Sequence, residues 1–343
     1  MFILYYNAKT REVKFVNATG FAAQAATIDF YKSKGGIPDE GPLSISVPGA
    51  VGGAAYAIEK YGTKPLRDVL APAVEIAEGG FPITEALARG LAGSKAKLAK
   101  YPSSTRIWFR DGQPLAMGDI IKNPDLARTL RAVGDGGADA FYHGDIAKNT
   151  AAFLKANGGI ITEADLASYK PYEDAPVHVN YRGVEVYECP PNSQGFVMLE
   201  ALNILEGYKL KEMGHNSAPY LHAITESLKL SFADRNAFIG DPKFVPNIPM
   251  PALLSKEYAT ARRAQIDPNR AIVGEPAPGD PRNVKSTAAQ AYAAPHAAPT
   301  IAKPFDPDEI LNLTTYLAVV DKDHNMIMQA EQSEKARRFG GPS

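Results

Sequence analysis

Apolar and polar residues alternate with a period of two in three parts of the chain, and each part predicts a pair of β-strands. At the start, "FILYYN" and "EVKFVN" flank the polar turn "AKTR". Residues 176–191, "PVHVNYRGVEVYECPP", alternate on both sides of Arg182-Gly183. Later, "TTYLAVV" begins an alternating run at Thr314 and leads into the polar turn "DKDHN". The pattern therefore predicts antiparallel strands early, midway and late in the chain.

A helical pattern fills most of the sequence between these strands, with apolar residues three and four positions apart. Residues 41–62 pass from a Pro/Gly-rich loop into a helix of small residues, and several short helices follow to about residue 170. Pro65 lies near the start of one helix, and Thr84 is the predicted N-cap of the next. Two long helices and a third helix are predicted over "GFVMLEALNILEGY", "SAPYLHAITESLKLSFADRNAFI" and "LLSKEYATARRAQI".

Residues 268–309 differ from the rest of the chain, with 8 Pro and 10 Ala among 42 positions and little periodicity. This composition predicts an irregular connection, and its length is typical of a functional or mobile loop. It leads to the strand that begins at Thr314 and Thr315. We therefore expect a linker over residues 268–313.

The overall composition is that of a globular protein and excludes several function classes. The 343 residues are 45% apolar and 22% charged, and 37 Lys and Arg stand against 38 Asp and Glu. The net charge of −1 gives no electrostatic basis for binding nucleic acid or an anionic membrane surface. No apolar run approaches about 18 residues, the length that spans a bilayer, so no membrane span is expected. The first residues, "MFILYY", contain no basic segment, so no signal peptide is expected there.

The residues that could bind a metal or a phosphate form no recognised motif. The histidines form no His-Glu-x-x-His pair, and His222 and Glu226, which share a helix face, have no third ligand nearby. A surface or packing role is the favoured interpretation of that pair. "PGAVGG" lacks the spacing of a dinucleotide fingerprint, and the chain has no Gly-Lys-Ser/Thr. Cys189, the only cysteine, lies between apolar residues and is interpreted as a packing residue without an intrachain disulfide.

Two further polar groups have a structural explanation as an alternative to a catalytic one. Ser193 precedes a helix, yet a nucleophile elbow needs glycine where Pro191 stands, so an N-cap role for Ser193 is favoured. The long helix after residue 217 carries four charges at helical spacing, which form solvated or intrahelical ion pairs more often than catalytic groups. These charged residues are Glu226, Lys229, Asp234 and Arg235.

Thr314 and Thr315 allow two interpretations. Threonine is a common first residue of a strand, and the alternating residues after it need no other explanation. A threonine hydroxyl becomes an effective nucleophile, however, when its own α-amine removes its proton, which requires a peptide bond to break directly before it. A long connection that ends at a strand beginning with threonine has the form of such a precursor. The alternation alone favours the ordinary strand.

Seven blocks of sequence occur in the order and at the spacing of one enzyme family, up to about Met328. The blocks are "SVPGAVGG" (46–53), "PAVEIAEGGFPI" (72–83), "AFYHGDIAKN" (140–149), "GGIITEADLASY" (158–169), "YRGVEVYECPPNSQG" (181–195), "FADRNAFIGDPKF" (232–244) and "TTYLAVVDKDHN" (314–325). Through them the chain resembles the γ-glutamyltransferase family (γ-glutamyltranspeptidases, glutathione hydrolases) of N-terminal-nucleophile hydrolases.

The resemblance implies an α+β fold, a four-layer αββα sandwich, of which this chain would hold the large-subunit part and the first hairpin of the small subunit. It also implies a precursor that cleaves itself between Leu313 and Thr314. Residues 1–313 would then form the large-subunit region, and residues 314–343 would begin the small subunit. Thr314 is implied as the catalytic nucleophile, with Thr315 in a supporting and mainly structural role.

The resemblance also implies a reaction. In this family the threonine hydroxyl attacks the γ-carbonyl of a γ-glutamyl compound such as glutathione, and the resulting ester passes its acyl group to water, an amino acid or a dipeptide. Neither a metal nor an organic cofactor is implied. Bacterial members are mostly periplasmic or secreted, which is the family's indication of location.

The sequence departs from the family pattern near the threonines. Tyr316 and Ala318 stand where the family commonly has histidine and serine, and His324 replaces a turn glycine. After Met328 the chain reads "QAEQSEKARRFGGPS", where the family continues through further strands of the small subunit. We therefore expect a chain that lacks the family's leader region and most of its small subunit.

A second departure concerns substrate recognition. The family's arginine for the glutamyl α-carboxylate has no counterpart in residues 15–27, where Thr19 or Phe21 occupies the place. Two alternatives to a γ-glutamyl enzyme follow. One is an acylase of the same superfamily with another acyl side chain, and the other is a non-catalytic remnant or a partner chain for a separately encoded small subunit.

Overall fold

The computed structural model describes residues 1–284 and 315–331, and the statements below concern those residues. The strands are β1 (Phe2–Asn7), β2 (Glu12–Asn17), β3 (Phe81–Pro82), β4 (Phe109–Arg110), β5 (Gln113–Pro114), β6 (Ile120–Ile121), β7 (Tyr172–Asp174), β8 (Val177–Tyr181), β9 (Val184–Glu188), β10 (Thr315–Val320) and β11 (Met326–Glu331).

Fourteen α-helices are described in the same residues. They are α1 (Ile28–Ser33), α2 (Ala50–Tyr61), α3 (Leu66–Gly79), α4 (Glu85–Gly93), α5 (Lys95–Leu98), α6 (Pro102–Trp108), α7 (Pro124–Tyr142), α8 (Asp145–Ala156), α9 (Glu163–Ala167), α10 (Phe196–Leu205), α11 (Leu210–Met213), α12 (Ala218–Phe238), α13 (Met250–Leu253) and α14 (Lys256–Arg263). Thr84 caps α4 as predicted, because its side chain accepts the N–H of Leu87. Helix α7 is kinked at Gly137, which has a φ of 66°.

The main sheet has five strands in the order β10-β11-β1-β2-β7, and every neighbouring pair is antiparallel. The predicted hairpins β1–β2, β8–β9 and β10–β11 are all confirmed. The pairing of β11 with β1 joins the first residues of the chain to the last described ones. No local pattern could indicate that long-range pairing.

Both faces of the sheet are apolar, because alternate side chains of a strand point to opposite faces. Phe2, Leu4 and Phe15 form a buried cluster on one face. Ile3 and Val16 lie on the other face and pack with residues of α2. The central strands β1 and β2 are therefore covered on both sides.

Helix α2 lies very close to the residues that follow β2, and glycines at the contact make this possible. A Cβ on Gly53 of α2 would lie 2.3 Å from the Cβ of Ala18, and a Cβ on Gly52 would lie 2.8 Å from the ring of Tyr169. Any side chain at these positions would push α2 away from the end of β2. The small-residue helix predicted within residues 41–62 is thus confirmed, and its composition follows from this contact.

A second helical group is formed by α10, α12 and α14, and fully buried residues of all three helices pack together there. The predicted linker over residues 268–313 is described only to Val284. This first part is irregular, as expected, and Val284 packs against the cluster that contains Phe196 and Tyr258. Across the described residues, no helix is both long enough and apolar enough to cross a membrane.

The combination of a mainly antiparallel sheet with separate helical layers confirms the expected α+β class.

Candidate active site

The first residue of β10 and the loops next to β2 and β7 lie at one end of the five-stranded sheet. Thr315 begins β10, whose partner strand β11 pairs through Ala330 with Phe2. Phe2 pairs with Asn17, the last residue of β2, and Asn17 pairs with Tyr172, the first residue of β7. Adjacent strands lie about 4.8 Å apart, so β10 and β2 are separated by about 14 Å across the sheet.

The two residues of the predicted cleavage site, Leu313 and Thr314, lie outside the described residues. Thr315 is described as the start of β10, in agreement with the ordinary-strand interpretation of this segment. The roles of Thr314 as nucleophile and of Thr315 as its support remain predictions.

The opposite end of β10 is fixed by a network of hydrogen bonds in the turn to β11. Asp321 Oδ1 accepts the N–H groups of Asp323 and Asn325, both at 2.9 Å. The Asn325 side chain donates to Asp321 Oδ2 at 3.0 Å and accepts the N–H of Ala8 at 2.9 Å. These hydrogen bonds hold the pKa of Asp321 below its usual range, and the bond from the Asn325 side chain has the largest effect. His324, in the place of the family's glycine, has a φ of 63°, so this turn requires a left-handed residue.

Asn17 joins three segments at the sheet end. Its Nδ2 donates to Tyr172 Oη and to Asn192 Oδ1, each at 3.0 Å, and its Oδ1 accepts the N–H of Thr19 at 3.1 Å. The side chain is almost fully buried, so these partners replace water. Burial raises the pKa of Tyr172, which keeps its phenol neutral. The junction is therefore held by uncharged groups.

The loop of residues 18–27, which follows β2, is shaped by one close backbone contact and by stacked rings. Phe21 O accepts the N–H of Val47 at 2.9 Å, and a Cβ on Gly20 would lie 2.3 Å from Val47 O. The ring of Phe21 stacks on Tyr169 at 5.7 Å, and Tyr169 stacks on Tyr142 at 4.9 Å. We call Phe21, Tyr169 and Tyr142 the aromatic stack.

The "SVPGAVGG" segment forms the base of this loop. Tyr142 Oη donates to Pro48 O at 2.7 Å and accepts the N–H of Gly52 at 3.1 Å. Burial raises the pKa of Tyr142 to about 12. A Cβ on Gly49 would lie 2.2 Å from Ala18 O, so only glycine fits there. The sequence block therefore has a structural function: it supports the loop that ends at the candidate site.

Residues 15–27 contain no arginine or lysine. The Phe21 side chain is 37% exposed at this end of the sheet. The loop therefore presents an aromatic ring and backbone groups, and no guanidinium that would bind a carboxylate with two hydrogen bonds.

The N-cap role predicted for Ser193 is wrong in its detail. Helix α10 begins at Phe196 after Gly195, and no side chain caps it. Ser193 Oγ instead donates to Cys189 O at 2.9 Å and accepts the N–H of Gly195 at 3.1 Å, so the hydroxyl stabilises the turn that leads to the helix. Both hydrogen-bonding positions of the hydroxyl are used by backbone groups, which leaves it a structural residue.

The predicted solvated or intrahelical ion pairs of α12 are only partly confirmed. Lys229 Nζ donates to Glu226 Oε1 at 2.8 Å within the helix. Glu226 itself is buried, and its Oε2 accepts the N–H of Ile272 at 2.9 Å. Asp234 is fully buried and accepts the N–H of Gly279 at 2.7 Å, so for Asp234 the expectation is wrong. The sequence around α12 gives no signal for this burial, because the partners lie outside the helix.

The packing interpretation of His222 and Cys189 agrees with their surroundings. His222 Nε2 hydrogen-bonds the carbonyl oxygen of Asp267 at 2.8 Å. Cys189 packs against the Phe15 face of the sheet, and burial raises the pKa of its thiol to about 12. Within residues 1–284 and 315–331, no three His, Cys, Asp or Glu side chains are grouped so that they could hold a metal ion.

The known proteins that are similar to this chain include two enzymes named for glutathione or γ-glutamyl chemistry and one acylase. A glutathione hydrolase proenzyme of Pseudomonas sp. (strain A14) is 39% identical over 314 residues, which are 89% of this chain and 50% of the relative. The crystal structure of Helicobacter pylori γ-glutamyltranspeptidase is 31% identical with a TM-score of 0.76 and covers 79% of each chain. A cephalosporin acylase from Bacillus halodurans is 30% identical with a TM-score of 0.80, over 95% of this chain and 55% of the acylase.

The chain spans about half the length of the curated relative that it matches. The model of the γ-glutamyltranspeptidase family matches residues 1–330, from β1 to β11. The chain therefore belongs to the γ-glutamyltranspeptidase family.

Proposed function

We propose that this chain is part of an enzyme that transfers the γ-glutamyl group of glutathione and related compounds to water, amino acids or dipeptides. The observation that carries the proposal is the position of β10, which begins at Thr315 at the sheet end occupied by the Asn17 junction and the loop of residues 18–27. The name of the Pseudomonas relative, a glutathione hydrolase proenzyme, supports the choice of substrate.

In the proposed reaction, the peptide bond between Leu313 and Thr314 first breaks and leaves Thr314 with a free α-amine. This amine removes the proton of Thr314 Oγ while the oxygen bonds to the γ-carbonyl carbon of the substrate. The amine then returns the proton to the leaving amine as the C–N bond breaks. Water or an acceptor amine attacks the resulting ester and restores the threonine hydroxyl.

We assign residues 1–313 to the large-subunit region and residues 314–343 to the start of the small subunit. The ladder between β1 and β11, which pairs Phe2 with Ala330 and Tyr6 with Met326, supports this division. It would hold the two pieces together without a covalent bond after cleavage. Thr315, as the first paired residue of β10, would fix the position of the threonine before it.

Intact mass spectrometry of the purified chain tests the self-cleavage. Wild type should give two fragments that join at Leu313 and Thr314, and Thr314→Ala should give one uncut chain. Thr314→Ser is the matched control, because it keeps a hydroxyl at the same position and should still cleave. An uncut wild-type chain would contradict the proposal for this chain.

A specific observation favours a second candidate function, an acylase that acts on another acyl side chain. The loop of residues 18–27 presents the ring of Phe21 and no cation. The similarity to a cephalosporin acylase is consistent with this loop. An acyl group without a carboxylate or an amine would then be accepted as well as a γ-glutamyl group.

Three anilide substrates separate the two functions. The γ-glutamyl anilide carries an amine and a carboxylate, the glutaryl anilide carries the carboxylate alone, and the butyryl anilide carries neither. The highest kcat/KM for the γ-glutamyl anilide would support the first proposal, and the highest value for either other anilide would support the acylase. Phe21→Arg should raise the ratio of the γ-glutamyl to the butyryl value if the loop contacts the acyl group.

A further inference from the structure

A group of buried charged and polar side chains joins the three helices α10, α12 and α14. Glu200 of α10, Asp234 of α12, and Tyr258 and Arg262 of α14 are each at most 1% exposed. We call these four residues the buried charge cluster. Charged side chains are almost never buried this completely unless they are paired, so the cluster needs an explanation.

Asp234 is at the centre of the cluster and is surrounded by donors. Its Oδ2 accepts the hydroxyl proton of Tyr258 at 2.9 Å and forms an ion pair with Arg262 Nε at 3.0 Å. Its Oδ1 accepts the N–H of Gly279 at 2.7 Å. Each of these three contacts is with a hydrogen-bond donor or a cation, the partners that a carboxylate oxygen accepts.

Glu200 has the opposite environment. Among the described residues, no hydrogen-bond donor reaches either of its carboxyl oxygens. Burial raises the pKa of Glu200 well above its usual range, and the charge of Asp234 raises it further, against the smaller opposing effect of Arg262. Glu200 therefore holds its proton in the folded state. The cluster then contains one carboxylate and one guanidinium, and its net charge is zero.

The cluster contacts a segment that has no regular structure of its own. Residues 271–283 contain neither helix nor strand. Arg262 Nη1 donates to Ala277 O at 3.3 Å, two residues before the Gly279 N–H that binds Asp234. A Cβ on Gly279 would lie 2.1 Å from Tyr258 Oη, so the backbone lies directly on the cluster. Releasing residues 277–279 would remove the Gly279 N–H from Asp234 and open the cluster, in which Glu200 faces Asp234, to water.

We propose that the buried charge cluster is a proton-dependent latch that holds residues 277–279 against α12 and α14. Glu200 faces Asp234 from α12 and the pair Tyr258 and Arg262 from α14, so its ionisation would place a second negative charge beside Asp234. While the segment is in place, Glu200 is shielded from water and stays neutral. When the segment detaches, water reaches Glu200 and the carboxyl group loses its proton at its ordinary pKa. Each increase in pH therefore favours the detached state.

Hydrogen exchange of wild-type protein, measured at pH 5.5 to 8.5 by mass spectrometry, tests the latch. The readout is the protection factor of a peptide covering residues 272–284, corrected for the intrinsic pH dependence of exchange. Between the ordinary pKa of a glutamate and its raised value in the fold, protection should fall by up to about tenfold per pH unit. A peptide from α3 should show no such fall.

Two variants separate the latch from a general effect of pH. In Glu200→Gln the side chain cannot ionise, so the pH dependence of the 272–284 peptide should disappear. Glu275→Gln is the matched control, because Glu275 is an exposed carboxylate of the same segment, and it should keep the wild-type dependence.

Two results would overturn the proposal: constant protection in wild type over this pH range, or an unchanged slope in Glu200→Gln. If Glu200→Gln does not fold, the wild-type series alone decides. Neither outcome depends on self-cleavage or on any substrate, so the latch and the proposed enzymatic function fail or hold separately.

Discussion

The loop of residues 18–27 and the segment of residues 271–283 are held in place by different kinds of side chain. Both are irregular stretches of backbone held against helices, and both are fixed by hydrogen bonds to buried side chains. The loop is held by the amide of Asn17, by the aromatic stack and by one hydrogen-bonded carboxylate that has no cation beside it among the described residues, since Asp165 Oδ1 accepts the N–H of Gln24 at 2.8 Å. The segment is held by ionised Asp234 and Arg262 beside a protonated Glu200.

The difference determines how each region responds to its surroundings. Between pH 6 and 8 the rings and the amide that hold the loop stay neutral. The carboxylate of Asp165 stays ionised there, because burial, which raises its pKa, is outweighed by the hydrogen bonds from Gln24 and Thr162, which hold the pKa below the usual range. The loop therefore keeps its geometry in this range. Buried charges bind strongly to their partners but depend on the protonation of their neighbours. A candidate substrate-binding loop and a segment that leads towards a predicted cleavage site thus differ in sensitivity to pH.

The largest expected effect is the loss of the central charge of the buried charge cluster. Asp234→Ala would leave Arg262 buried without its counter-ion and Gly279 without its acceptor. Breaking a buried ion pair in this way costs about 3 to 5 kcal/mol. Urea unfolding followed by circular dichroism measures the change in the free energy of unfolding.

The control for this variant is Asp323→Ala, in the exposed turn between β10 and β11, where the side chain is 57% exposed. Its effect should stay within about 0.5 kcal/mol. Equal effects of the two substitutions would show that the burial of Asp234 contributes nothing to stability.

A smaller effect is expected when a methyl group is added at the base of the loop of residues 18–27. In Gly49→Ala the new methyl group would meet Ala18 O and Tyr169 Oη, at 2.2 and 2.4 Å, unless α2 shifts away. Overpacking of this kind costs about 1 to 3 kcal/mol. The same unfolding measurement applies, together with the fluorescence of the aromatic residues near the loop.

Gly79→Ala is the matched control, since Gly79 lies at the end of α3 and a Cβ there meets no atom within 4 Å. It should be neutral or stabilise by up to about 1 kcal/mol. A loss of stability for Gly79→Ala as large as that for Gly49→Ala would contradict the importance of the close approach.

The smallest effect sharpens the contrast in pH dependence. Tyr142→Phe removes the hydroxyl that binds Pro48 O and the N–H of Gly52, which should cost about 1 to 2 kcal/mol. Because the pKa of Tyr142 is raised to about 12, the phenol stays protonated in both the folded and the unfolded protein between pH 6 and 8. The cost should therefore be the same at both pH values. A cost that changes with pH would mean that a group whose charge changes between pH 6 and 8 also acts on the loop.

Much of the fold could be predicted from local sequence patterns, because those patterns act through neighbouring residues. Alternation identified the three hairpins, and the turn at Arg182-Gly183 has the positive φ values that such a turn needs, 54° and 87°. The side chain of Thr84 alone sufficed to place the start of α4. Each of these features depends on contacts within a few residues.

The remaining features depend on contacts between distant parts of the chain. Asp234 looked like an ordinary surface charge of a helix, yet its partners come from α14 and from the irregular segment after it. The role of Asn17 at the candidate site depends on Tyr172 and Asn192. For Thr314, the long connection before it allowed a catalytic interpretation but the alternation favoured an ordinary strand, and only the resemblance to a family implied the catalytic role.

The order of strands in the sheet also affects how the protein is made. β1 is synthesised before β2 and can pair with it as soon as residue 17 has left the ribosome, but its other edge pairs with β11. The ribosome adds hundreds of residues, including every helix of the second group, before residues 326–331 exist. Throughout that time an apolar strand edge stays open to other chains, and such edges are sites of misassembly. The pairing of β1 with β11 is therefore a late step in the folding of this sheet, and the edge of β1 is a point of vulnerability until it forms.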